Sequence, residues 1–536
     1  MPFIIFSLFA LCLPAAARPA NAQESWAVLE KRGLIVSNIE IVVLPVFNPQ
    51  NPKENHWVGR TANTIHVETQ KNSIRPALLF KAGEPVNALT IHASERLLRS
   101  LPHIRDAEIT PSQVSDSTVI AVVRVRDAWS LKFSSGFRHT GGESEWSLMV
   151  REFNLLGLGK QIQIGYYNTI DRTLTGFAYQ DPFLFNTRWI AFTEFQRLSD
   201  GNSQAVIFSH PFYDVQTPWA AGFMASSVSS IQTFYHRGHR IYQLPSDRYA
   251  FLLFGRHLIS RHKNAAQRLG LEFRTTGCRY DSVTIFRPEV LPVFCTDKRR
   301  FHGFLLSWEF FQDNHIVRRN VYYVDKTEDF NLGWHVQLKA GFYPGSWGST
   351  EDAFYAEGSV EKGRSLGHKR FFTARFRWQS LNERNGVNRF GSQSSVNLFD
   401  QNLSGQTWMA SARFRHNAHP YPENVTYLGG TDGLRGYMNH FRIGDARWMC
   451  TVEDRVLTSW NFWGLVKPGF VAYFDAGGVR ELSTGRWSKP YVSAGAGLRI
   501  GNLKSSFGRV ITLTVAMPLV REPGIERFQI ILGTGD

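Results

Sequence analysis

Long apolar runs are nearly absent from this chain of 536 residues, and its mean hydropathy is −0.23. Nowhere do apolar residues continue for the ~18 to 20 positions that a spanning helix needs. A helical membrane bundle is therefore excluded. Charge is sparse as well, at 20% against 43% hydrophobic residues, so the chain has ample surface to bury and disorder is excluded for most of its length. Four cysteines are too few for a disulfide-stapled miniprotein. Catalytic signatures are also missing: there is no Gly-x-Ser-x-Gly elbow, no Walker loop and no His-Glu-x-x-His zinc site. The expectation is a protein that is not an enzyme, with no catalytic residue, no metal and no cofactor. Scattered histidines, such as His236 and His239 in the basic run Tyr235 to Arg240, read as loop residues.

Aromatic residues are abundant. Phe 41, Tyr 17 and Trp 15 make up 14% of the chain. The longest apolar stretch, Phe3 to Leu13, leads through Pro14 and an alanine-rich segment to Ala20-Asn21-Ala22. Residues 1–22 therefore read as a secretory signal with an Ala-x-Ala cleavage site. Cleavage removes Arg18 and leaves a net charge of +14 from the original +15. Export makes disulfides possible. Cys278 and Cys295 flank a segment with two prolines that reads as a loop, and they are expected to pair, with two free thiols as the alternative. Dispersed lysines and arginines on an exported chain point away from nucleic acid.

Residues 33–128 mix helix and strand. Ile39 to Leu44 reads as a strand ended by Pro45, and Ile65 to Phe80 as a helix only if Pro76 is tolerated or ends its first piece. Asn87 can cap a second helix that places Leu97, Leu98 and Leu101 on one face and Arg96 and Arg99 toward solvent. Ala107 to Thr110 and Val119 to Val125 supply two more strands, the second with Val123 and Val125 alternating against Arg124 and Arg126. The order strand, helix, helix, strand, strand, with Gly83-Glu84-Pro85, Glu95 to Leu101, Ile104 to Ile109 and Val122 to Asp127, resembles a POTRA domain. Asn48 to Asn63 then looks like an insertion. An unrelated small α+β domain is the other reading.

From Trp129 onward, alternating runs recur about every 20 to 25 residues between Gly, Asn, Asp and Ser clusters. Gln161 to Tyr166, Phe372 to Trp378 and Arg509 to Val515 keep a two-residue period; in the last, Ile511, Leu513 and Val515 would face lipid, and Thr512 and Thr514 the lumen. In Tyr491 to Ile500, the outer row is Val492, Ala494, Ala496, Leu498 and Ile500. A soluble sandwich array or propeller could alternate in the same way. Aromatic girdles around a polar interior separate a membrane barrel from these, because they combine many aromatics with low mean hydropathy. The expected fold is mainly β: a transmembrane antiparallel β-barrel over 129–536, of about 16 strands or more, after one small α+β domain. Candidate runs number nearer about 19 by the same alternation.

The most distinctive segment is Tyr427 to Tyr437, a glycine-dense loop with a single arginine. Glycine at this density permits positive φ and close backbone approach, so the loop over 421–440 is expected to fold into the barrel. An enclosed Arg435 then needs carboxylate partners. Glu453 and Asp475, on the strands that follow, are the candidates.

Leu434-Arg435-Gly436-Tyr437, Thr451 to Arg455 and Phe474 to Gly477 in this order closely resemble the BamA/TamA family of outer-membrane barrels. Asn154 to Gly159 and Asp181-Pro182-Phe183 match more weakly. The resemblance implies a loop-tip lock of Leu434, Arg435, Gly436 and Tyr437 on Glu453 and Asp475. It also implies a seam joining Trp129 to Phe137 with Arg527 to Leu532, with Trp129, Phe133, Phe528 and Ile530 among its residues, that opens to template or pass a client strand. The implied place is the outer membrane of a Gram-negative-type bacterium, with the POTRA domain in the periplasm. The implied partners are an unfolded outer-membrane or secreted polypeptide, membrane lipids and lipopolysaccharide. A pore for one secreted partner and a passive channel are the alternatives. Arg435 as a plain fastener that holds the barrel shut is the other reading, and it does not exclude the first.

Overall fold

The computed structural model describes residues 25–535 apart from 53, 141–142, 288–297, 431–432 and 505–509, and leaves out the side chains of 137–144 and 533–535. The expected signal segment, residues 1–22, lies outside the described residues.

The N-terminal unit is a three-stranded sheet covered by helices. Its strands Ile35–Leu44, Ile104–Ser112 and Thr118–Asp127 lie in the order first, third, second, with the first parallel to the third. Val119, Ala121, Val123 and Val125 are buried on one face of the third strand, and helix Ala88–Ser100 lays Ile91 and Leu98 into the same core. The Asn87 side chain caps that helix by accepting the Thr90 N–H at 3.1 Å. Two expectations change here. A helix at Trp57–Ile65 ends where one was expected to begin, and within the expected stretch only Lys71–Ile74 is α-helical, ended by the 3₁₀ turn Arg75–Ala77 that holds Pro76, which is the second of the two readings. The fixed φ of Pro76 suits a tight turn, and its missing N–H cannot continue a helix. Arg96 and Arg99 do not point into solvent; they reach carboxylates of the barrel.

Among the described residues twenty long antiparallel strands form the barrel, from Leu131–Thr140 round to Gln529–Gly535, which lies beside the first. That is the larger end of the expected range. The count from length missed it because several connections are very short, as in Arg237-Gly238 between Trp219–His236 and His239–His262. This tight turn places His236 and His239 at strand ends rather than in a long loop.

Side chains alternate as a pleated wall requires. Ile511, Leu513 and Val515 are 43%, 43% and 48% exposed on the outside, whereas Thr514 is buried on the inside. Phe376, Val396 and Phe414 belong to the same outer band, opposite polar or charged residues facing inward. Among the described residues no helix is long and apolar enough to cross a membrane.

Among the described residues two segments enter the barrel. One is the glycine-rich loop after strand Gln406–Ala418. The other is the connection over residues 313–334, whose hairpin His315–Arg319 and Thr327–Asn331 forms a sheet of its own, apart from the wall. The loop and the connection approach from opposite ends, because an odd number of wall strands separates the two connections.

Candidate functional site

The loop leaves the short strand Thr426–Leu428 and turns at Gly429, Gly433 and Gly436, each with positive φ. At the tip, a Cβ on Gly436 would lie 3.3 Å from Ala516 Cβ and 3.4 Å from the Pro518 ring. A side chain there would press on the wall, and the positive φ itself favours glycine. Leu434 and Tyr437 are fully buried on either side, in a cluster with Phe441, Met449 and Tyr491. The Tyr437 hydroxyl donates to the carbonyls of Val492 (2.9 Å) and Val520 (3.0 Å), so the ring is fixed at its polar end as well.

Arg435 projects from this tip onto two neighbouring wall strands, Arg442–Leu457 and Val466–Glu481. Its Nε and one terminal nitrogen donate to both oxygens of Asp475, at 2.7 and 2.8 Å, and the other terminal nitrogen donates to Glu453 at 3.0 Å. The guanidinium also lies 3.3 Å from the centroid of the Tyr473 ring. Asp475 is completely buried. A bidentate fork is the strongest geometry available to an arginine and a carboxylate, and it fixes direction as well as distance. Burial works against the charge on Arg435, but the Asp475 bond and the nearby carboxylates outweigh it and raise its pKa above the ordinary arginine value. The register explains the pairing of the acids. Thr451 lies opposite Asp475 and Glu453 opposite Tyr473, so all four side chains share the inner face, while Cys450 is exposed on the outer face.

The second half of the site was not anticipated from the sequence. Glu453 also accepts from Arg455 Nε at 2.7 Å, and Arg455 donates to the Val321 carbonyl in the 313–334 connection at 2.5 Å. Arg499 donates to the next carbonyl, Tyr322, also at 2.5 Å. Around these contacts Val321 packs with Leu332, Phe371 and Phe399, and Val324 with Leu503 and Val510. The buried carboxylate of Glu328 accepts the N–H groups of Val321, Tyr322 and Tyr323 and so shapes the tip. The only sequence signal was negative: a long connection with neither a glycine cluster nor a clean alternating run.

The connection is clamped from outside by the N-terminal unit. Arg99 donates to both oxygens of Asp329 at 2.9 and 2.8 Å, and Arg96 to Asp313 at 2.5 Å. A polar path therefore runs from the N-terminal helix through the hairpin and Arg455–Glu453 to the loop tip.

Further contacts seat the N-terminal unit on the barrel rim. Asn154 donates to Thr69, Phe183 joins the N-terminal core, and Lys504 donates to Glu54 at 2.7 Å and to the Val46 carbonyl at 3.2 Å. Burial pushes the Lys504 ammonium down to about 8. The segment expected to be an insertion, Asn48 to Asn63, thus supplies Glu54 to this contact and a helix to the unit.

At the seam, Trp129 precedes the first strand and donates its N–H to the Lys504 carbonyl, and Phe528 precedes the last. Phe133, Phe528 and Ile530 are 74%, 57% and 59% exposed. The last strand pairs with Val510–Pro518 over Gln529 to Gly535 only, far less than the ladder between Arg442–Leu457 and Val466–Glu481. Cys278 is a buried free thiol inside strand Ala265–Tyr280, opposite Arg299, and not in a loop; Cys295, its expected partner, lies outside the described residues. Among the described residues no group of three or more His, Cys, Asp or Glu side chains is placed to hold a metal ion.

No protein-family model matches the sequence, and no curated protein matches it. Among solved structures, CdiB from Escherichia coli is similar at 13% identity over 97% of this chain and 91% of that one, with a TM-score of 0.45. CdiB from Acinetobacter baumannii is similar at 12% identity over 94% and 73%, TM-score 0.41. BamA from Haemophilus ducreyi lacking POTRA domains 1–3 is similar at 12% identity over 94% and 84%, TM-score 0.39.

Proposed function

We propose that this chain is an outer-membrane barrel of the BamA/TamA type that inserts or passes a client polypeptide through an openable seam. The membrane part of the reading follows from the outer band. Burying one large aliphatic or aromatic side chain is worth about 1.5 to 3 kcal/mol, so a wall that turns whole rows of them outward is built for an apolar solvent. The N-terminal unit is read as a single POTRA domain on the periplasmic side, and lipids with lipopolysaccharide as the surroundings. The reading assigns no catalytic residue and no cofactor.

The observation that carries the functional step is the grip of Asp475 and Glu453 on Arg435. It fastens the loop to the wall some strands away from the seam, so the first and last strands can separate without unravelling the interior. A short final strand has few ladder bonds to break, and an exposed edge recruits another strand. Passive conduction fits less well, because the lumen is entered by chain from both ends.

Reconstitution in liposomes tests the reading. The full chain is expected to accelerate folding of a second barrel, and cysteine pairs that cross-link Leu131–Thr140 to Gln529–Gly535 are expected to abolish that acceleration while leaving the cross-linked barrel heat-modifiable on gels. Steady conductance with no acceleration would replace the proposal with a passive channel.

A further inference from the structure

Five of the arginines that face the lumen lie side by side on three wall strands. On Arg370–Glu383 they are Arg375 and Arg377, on Gln406–Ala418 Arg413 and Arg415, and on Arg442–Leu457 Arg447. Register aligns them. Arg375 and Arg413 both lie opposite Ser395, and Arg377 and Arg415 both lie opposite Gln393, with Arg447 next beyond Arg415. The result is two rungs of guanidinium groups across the strand Asn388–Asp400. Their outward neighbours Phe376, Val396 and Phe414 fix which way the rungs point.

The carboxylates nearby are few. Glu361 accepts from Arg375 and lies 3.5 Å from Arg377. Glu357 is already held by Lys339 at 2.8 Å and by Arg274 at 3.5 Å. Arg447 donates to the Tyr427 carbonyl. Among the described residues Arg413 and Arg415 form no hydrogen bond and no ion pair. Arg415 opens onto a polar cavity of about 450 Å³ whose lining also includes Arg377, Gln393 and Asn417, and Arg413 lies one rung along the same inner face. Guanidinium groups left unpaired in a wet pocket attract anions.

We propose that these rungs bind an acidic segment of a client polypeptide in extended conformation. The match is one of spacing. Residues i and i+2 of a strand stand ~6.8 Å apart on one face, which separates Arg375 from Arg377 and Arg413 from Arg415, and equally separates carboxylates on alternate residues of an extended peptide. Adjacent strands are ~4.8 Å apart, so the two arginine strands flank a trough about 10 Å wide that one peptide strand can follow. Arg413 and Arg415, which hold no carboxylate, can each take one bidentately, a geometry that lysine does not reproduce.

This inference rests on the client reading above, and its test separates the two. A fluorescent peptide of alternating Glu and Ser is titrated against the full chain in detergent, with an alternating Lys-Ser peptide as control. The Glu-Ser peptide is expected to bind in preference to the control and to weaken as salt rises. R413E/R415E is expected to weaken it about tenfold or more, and R413K/R415K far less, with all variants still heat-modifiable. Equal binding of the two peptides, or an affinity unchanged by charge reversal, would overturn the site. Acceleration of barrel folding by a chain that binds no Glu-Ser peptide removes this inference and leaves the insertase. Peptide binding without acceleration leaves the acidic site and removes the insertase.

Discussion

The two segments that enter the barrel are held in opposite ways. In the 421–440 loop, the charge is on the visitor: Arg435 reaches out and the wall supplies Asp475 and Glu453. In the 313–334 connection, the charge is on the wall: Arg455 and Arg499 reach in and take the backbone carbonyls of Val321 and Tyr322. The first grip is ionic, directional and confined to a few side chains. The second is spread over carbonyls, a shaping carboxylate and apolar packing, and depends on a second anchor outside, where Arg99 holds Asp329. A single substitution can therefore break the loop's hold, whereas the hairpin should yield only in stages. Arg455 touches both systems and is where motion in one would be felt by the other.

The largest expected effect comes from Arg435→Ala. It strands a fully buried Asp475, and removing one partner of a buried pair typically costs about 3 to 5 kcal/mol. The folded barrel should lose heat resistance in a gel-mobility series, and protease should gain access to the loop. Arg435→Lys should recover only part of the loss, because a lysine cannot form the bidentate fork. An alanine variant as heat-resistant as the parent would mean that the aromatic cluster around Tyr437 and Phe441 holds the loop alone.

The same contrast governs what could be read before any coordinates. The loop announced itself because a confined arginine needs glycines to bring it in and acids to receive it, and all three leave letters in the sequence. Asp475 and Glu453 were recognisable from their place on alternating strands. The hairpin's grip leaves no such trace, since a carbonyl acceptor belongs to every residue, and Val321 and Tyr322 differ from other residues only in where they lie. Strand alternation was legible for a similar reason, because facing lipid or lumen selects side-chain type at every second position. Strand number was less so, for turns as short as Arg237-Gly238 leave little to mark where one strand ends. Arg96 and Arg99 were misplaced because a helical period separates an apolar face from a charged one but does not say whether the charged face meets water or another unit.

Next in size is a test of the outer anchor by acid. His103 is buried where the N-terminal unit meets the barrel turn, with a Cβ on Gly159 falling 2.8 Å from its ring. Burial pushes its pKa down to about 4, against the pull of Asp127, and the neighbouring His66 lowers it further. An imidazole depressed in this way is neutral in the docked state and takes up its proton first when freed. Its contribution is therefore complete above about pH 6.5 and lost as pH falls toward 4, on the order of 3 kcal/mol in all. Between those values the N-terminal unit should become protease-sensitive and the hairpin, having lost Arg99, should loosen, while the Arg435 loop stays in place. His103→Phe should remove that pH dependence. If acid releases loop and hairpin together, the two are one cooperative unit and the contrast between them fails.

The smallest expected effect is the sharpest discriminator, because it has the opposite sign to ordinary carboxylate behaviour. Burial raises the pKa of Glu328, and the three N–H groups of Val321, Tyr322 and Tyr323, with Lys326, only partly oppose it. A carboxyl whose folded pKa lies above its free value binds its proton more readily in the folded state. Stability should therefore fall as pH rises from about 4.5 through the raised value, the reverse of a salt-bridged acid. Glu328→Gln keeps an acceptor oxygen for the N–H groups and removes the charge. The hairpin should then be unchanged or tightened by up to about 1 kcal/mol near neutral pH, with no further change on acidification in that window. Hydrogen exchange of the 319–325 amides at two pH values reads this directly. Faster exchange in the glutamine variant at neutral pH would show that the ionised carboxylate itself clamps the tip, making the hairpin's hold as electrostatic as the loop's.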